Sequence, residues 1–77
     1  MTIPFSTLQV GDRAIIEDAE ISEHGRWRKL MTLGLTPGTS VTVTRVAPLG
    51  DPIEIRIRGF NLSLRRDETV GIRVTKL

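Results

Sequence analysis

Between Ile53 and Leu64 the chain alternates apolar and polar residues with a period of two: Ile53, Ile55 and Ile57 are separated by Glu54 and Arg56, and Phe60, Leu62 and Leu64 by Asn61 and Ser63. This spacing predicts two half-buried strands. With Arg58-Gly59 as a two-residue hairpin loop, Ile57 faces Phe60, Ile55 faces Leu62 and Ile53 faces Leu64, so that all of these apolar side chains share one face. Upstream, Ser40 to Val46 alternates valine and threonine, β-branched residues that suit a strand. There Val46 falls out of phase with Val41 and Val43, which predicts a bulge or bend near Arg45. Asp12 to Asp18 is an apolar run with charged ends, too short for a helix and read as a strand. Thr69 to Lys76 predicts a last strand with Val70, Ile72 and Val74 inward. Before these, Ile3, Phe5 and Leu8 are scattered apolar anchors, and Val10-Gly11-Asp12 reads as a turn.

The period changes to that of a helix only once. Ser22 is the N-cap expected for a helix over roughly 23–33, with Trp27, Leu30 and Met31 on the inner face. Gly34 stands where a left-handed residue would end that helix, letting Leu35 return onto Leu30. Thr36-Pro37-Gly38-Thr39 fits a type II turn, because proline presets φ and glycine accepts a positive φ at the third position. Arg65 to Glu68 reads as a polar connector of one helical turn. About five strands and one short helix inserted after the first strand predict a mainly β fold, a small closed or nearly closed barrel that would manage its own edge strands.

Composition narrows the chemistry. The chain has 77 residues, no cysteine, a single histidine and a formal net charge of +2. One domain over residues 1–77 is expected, near the lower limit for a chain that folds on its own core. Disulfides and thiolate metal sites are excluded. The charge is too small for long-range steering toward nucleic acid. Nucleic-acid-binding small barrels also add aromatic stacking platforms, and this chain offers two phenylalanines, one tryptophan and no tyrosine. No apolar run is long enough to span a bilayer, and the first residues lack the basic start and apolar stretch of a signal peptide. A cytoplasmic protein without direct membrane insertion is the expectation.

No phosphate-binding glycine loop, zinc spacing or nucleophile elbow is present, so no catalytic residue and no cofactor is expected. Glu20, Glu23 and His24 are weak candidates for binding Fe²⁺ or Mn²⁺, carboxylate-rich and suited to hard cations; the plainer reading of His24 is a solvated residue in the first helical turn. Arg56, Arg58, Arg65 and Arg66 read as a solvated strand face, with a basic patch as the alternative. The segment Ala47-Pro48-Leu49-Gly50-Asp51-Pro52 is stiffened by its prolines. Leu49 there either caps a barrel end or stands uncovered as a preorganised docking tip.

The run Leu33-Gly34-Leu35-Thr36-Pro37-Gly38, followed by Val46 to Pro52, then Ile57-Arg58-Gly59 and Leu62-Ser63-Leu64-Arg65-Arg66, resembles the FeoA family along essentially the whole chain. The resemblance implies a small SH3-like barrel of bacterial ferrous iron uptake, acting as a cytoplasmic adaptor at the inner face of the membrane through FeoB, a membrane GTPase transporter. It implies an accessory role and no enzymatic activity. On the positions matching the family, Pro48, Leu49, Asp51 and Pro52 are expected partner-binding residues, joined by Arg45 from its place at the predicted bulge. A metal-responsive module and a nucleic-acid-binding barrel stand as alternative functions.

Overall fold

The structure is a computed structural model, and it describes residues 2–19 and 26–77. Its strands are β1 (Ile3–Pro4), β2 (Arg13–Ala19), β3 (Ser40–Val46), β4 (Ile53–Ile57), β5 (Phe60–Leu64) and β6 (Ile72–Lys76), and its helix is α1 (Arg26–Thr32). The strands form one six-stranded sheet in the order β1-β6-β2-β3-β4-β5, with antiparallel neighbours throughout. Short 3₁₀ turns at Phe5–Thr7 and Arg66–Thr69 follow β1 and β5.

The alternating patterns become one core. Ala14 and Ile16 from β2, Val41 and Val43 from β3, Ile53, Ile55 and Ile57 from β4, and Ile72 and Val74 from β6 are all buried. Phe5 and Leu8 close this core from the start of the chain, while Leu30 of α1 and Leu35 close it from the helical side. No direct pairing joins β1 to β5 among the described residues, so the sheet is not closed into a complete ladder. The extra strand beyond the five expected is β1, whose two residues are too few to show a period.

The β4–β5 hairpin has the expected register, with Ile57 opposite Phe60, Ile55 opposite Leu62 and Ile53 opposite Leu64. Its loop is left-handed at Arg58 (φ 48°) and Gly59 (φ 87°), the backbone of a type I′ turn. A register shift between Val43 and Arg45 supplies the bulge that Val46 requires, and a second one separates Ile16 from Asp18 in β2. At the end of α1 the amide of Leu35 donates to Leu30 O at 3.1 Å and that of Gly34 to Met31 O at 3.0 Å, the paired bonds of a Schellman stop. Thr39 N donates to Thr36 O at 3.1 Å, closing the turn over Pro37-Gly38.

Other expectations are corrected. Val70 is exposed, because it follows the second 3₁₀ turn and β6 begins only at Ile72, so it lies outside the alternation. Phe60 is 45% exposed: it is the first residue of β5, where the covered face runs out beside Gly34. Met31 is also partly exposed, one position beyond the buried Leu30. The side chain of Trp27, the helix start at Ser22 and the site candidates Glu20, Glu23 and His24 lie outside the described residues.

The entry into β2 is fixed by Asp12. Its carboxylate accepts the Gln9 amide at 2.7 Å and pairs with Lys76 of β6 at 3.3 Å. The backbone hydrogen bond from Gln9, reinforced by Lys76, holds the Asp12 carboxyl below its ordinary range.

Candidate docking loop

The segment joining β3 to β4 is built from local constraints. Gly50 N donates to Ala47 O at 2.7 Å, closing a turn with Pro48 at its second position. Gly50 itself has φ +88°, a conformation costly for any other residue. Ala47 N donates to Pro52 O at 3.1 Å and continues the ladder into the base of the loop. The Asp51-Pro52 peptide is cis.

Leu49 stands at the apex of this turn and is 97% exposed. It covers none of the barrel end, so the reading of Leu49 as a cap is not what the chain adopts. Pro48, Asp51 and Pro52 are exposed around it. Arg45 and Pro52 come together with Ala47, Glu54 and Ser63 around a shallow groove of about 200 Å³ below the loop. Arg45 lies opposite Glu54 in the β3–β4 register. The expected site residues thus separate into an apex, Pro48 and Leu49, and a groove containing Arg45 and Pro52. Asp51 has a third place: its Oδ1 accepts the Arg66 amide at 2.9 Å.

Arg66 is the residue that the sequence pattern did not single out. Its guanidinium Nε donates to Gly50 O and its Nη1 to Ser6 O, the latter at 2.7 Å. One side chain therefore ties the loop to the 3₁₀ turn at the start of the chain, on the side where β1 and β5 do not pair. Its own carbonyl accepts from Thr69 Oγ1 at 2.7 Å, and Glu68 caps the preceding amide of Arg65 at 3.0 Å, so the turn that carries Arg66 is itself held. Arg66 departs from the expected solvated face; Arg56 and Arg65 are exposed as that reading requires, and Arg58 reaches Thr39 Oγ1 at 3.3 Å. Among the described residues, no group of three or more His, Cys, Asp or Glu side chains is gathered to hold a metal ion. No helix among them is long and apolar enough to cross a membrane.

The model of the FeoA domain matches residues 3–76. The chain belongs to the FeoA domain family. A curated relative, an Fe(2+) transport protein A/Fe(2+) transporter FeoB fusion protein from Porphyromonas gingivalis, is 39% identical over 70 residues, 90% of this chain and 8% of the fusion. The chain thus spans a small fraction of that relative's length. The solution structure of an FeoA protein from Chlorobium tepidum is 44% identical, with a TM-score of 0.84 over 97% of this chain and 70% of that one. The zinc complex of FeoA from Stenotrophomonas maltophilia, described as a prokaryotic SH3 domain protein, shares the fold at 23% identity, with a TM-score of 0.79 over 100% of this chain and 95% of that one. This FeoA chain is accordingly mainly β and SH3-like.

Proposed function

We propose that this FeoA chain is a non-catalytic accessory protein of ferrous iron uptake that contacts an FeoB-type transporter from the cytoplasmic side, with the loop of residues 47–52 as the contact. Family membership and the fusion of an FeoA-type protein to FeoB in a relative support the partner. The observation that carries the site is Leu49: a large apolar side chain, 97% exposed, on a loop fixed from below by Arg66. An uncovered leucine costs nothing in stability to remove, but it contributes to binding when a partner covers it. Fixing the loop beforehand reduces the ordering cost of association. Arg45 and Pro52 would line the adjoining contact and Pro48 its apex, while Asp51 would act by holding the loop through Arg66.

The test is retention of the purified chain by the membrane and G-protein portions of the transporter, presented separately, with and without GTP. Leu49→Asp is expected to weaken retention by about 10- to 100-fold, the worth of one buried leucine, with unchanged thermal unfolding. Lys29→Ala, an exposed change on α1, should retain full binding. Failure of the unmodified chain to bind either portion would overturn the direct-contact reading.

A further inference from the structure

The two edges of the sheet are finished differently. β1 has only two residues and ends in Pro4, a short edge of the kind that resists further pairing. β5, at the other end of the order, runs Phe60-Asn61-Leu62-Ser63-Leu64 without a charge, a proline or a bulge. In a two-residue hairpin the residues flanking the loop exchange both main-chain bonds, and alternate pairs follow. Ile57/Phe60, Ile55/Leu62 and Ile53/Leu64 are therefore the bonded pairs, and the N–H and C=O groups of Asn61 and Ser63 point away from β4. Among the described residues nothing pairs with them. Beyond Ser63 the edge is closed, since Glu68 takes the Arg65 amide.

We propose that this outer edge of β5 accepts an added strand from an acidic, extended segment of a partner protein. Every second side chain of such a strand would lie over Phe60, 45% exposed, and the half-buried Leu62, completing their burial. The other side chains would lie on the solvent face beside Asn61 and Ser63. That face carries Arg56, opposite Asn61, and Arg65 follows β5 in step with Asn61 and Ser63. Its acidic residue, Glu54, is opposite Ser63 and already accepts from Thr44 Oγ1 at 3.5 Å. The short side chains of Asn61 and Ser63 leave the arginines room to reach across. Carboxylates at those positions meet unlike charge, whereas two copies of β5 paired edge to edge would set one group of arginines against another. Charge thus favours an acidic partner over self-association. Main-chain bonds would supply affinity and the alternate side chains specificity.

The test uses the full chain, labelled for amide NMR, and short capped peptides alternating valine with glutamate. Hydrogen exchange at Asn61 and Ser63 is expected to slow by at least roughly tenfold with the Val/Glu peptide. The same peptide N-methylated on its bonding edge, and its Val/Lys counterpart, should give no such protection. Ser63→Pro removes an outward amide that β4 does not use, so it should abolish binding with the remaining spectrum preserved; the N-methylated peptide decides the matter should that variant fail to fold. Leu49→Asp should bind the peptide as the parent does, which separates this edge from the docking loop. No protection at peptide saturation, equal protection by the Val/Lys or N-methylated peptide, or protection by single-stranded DNA alone would overturn the proposal.

Discussion

Arg66 concentrates more of the local architecture than any other polar side chain described. Its amide is capped by Asp51 and its guanidinium bridges Gly50 O and Ser6 O, so loop and chain start depend on one planar cation. Hydrogen bonds involving a charged group contribute roughly 1.5–3 kcal/mol where they are shielded and less at the surface, and these are partly open. Arg66→Ala is therefore expected to cost about 1–2 kcal/mol in urea unfolding and to speed amide exchange at Gly50. Arg66→Lys should recover little, because a lysine lacks the forked donors that reach both carbonyls. None of this was legible in the sequence. Arg65-Arg66 has no periodic signal that tells one arginine from the other, and the partner carbonyl at Ser6 lies 60 positions away. Leu49 was half legible: the flanking prolines announced a stiff loop, but only three-dimensional placement decides whether its leucine is covered.

Elements were read best where two signals agreed. The β4–β5 hairpin combined strict alternation with a glycine at the loop, and its register followed from both. The end of α1 likewise combined Gly34 with the return of Leu35 onto Leu30. Gly34 has φ +107°, and a Cβ there would meet Ile57 Cδ1 at 3.6 Å and Phe60 Cζ at 3.9 Å, both ordinary contacts. The cost of Gly34→Ala is thus backbone strain rather than crowding, expected at about 1 kcal/mol or slightly more and visible as a lower thermal midpoint. The misread residues, Val70, Phe60 and Met31, all sit where a periodic face ends. Period identifies a face but not the position at which neighbouring elements stop covering it. That boundary is set by the paths of distant segments.

At the scale of the whole molecule, stability rests on a small core fed by nearly every element. A core of this size rarely yields more than about 3–5 kcal/mol, while truncating a buried isoleucine to alanine costs about 2–5 kcal/mol. Ile55, fully buried in β4, a strand paired on both sides, is therefore expected to be indispensable. Ile55→Ala should leave a chain partly unfolded without denaturant, seen by circular dichroism and loss of amide dispersion. The mainly β class and the chain order of the strands were legible because each strand carries its own alternation. The placement of β1 beside β6 was not, since two residues cannot encode a partner.

That pairing sets Ile3 opposite Val74, so the two ends of the described chain leave the molecule side by side. Ser6, three residues along from Ile3, is where Arg66 fastens the base of the loop of residues 47–52. A protein joined to either end would be tethered at the end of the β1–β6 pair away from Ser6. Over a flexible connection long enough to span that pair, such a tether holds its cargo at an effective concentration of order millimolar, enough for a contact too weak to persist between separate chains to be occupied most of the time. On the proposed docking role, the same loop would serve a fused and a free partner alike, the difference lying in occupancy and not in the surface.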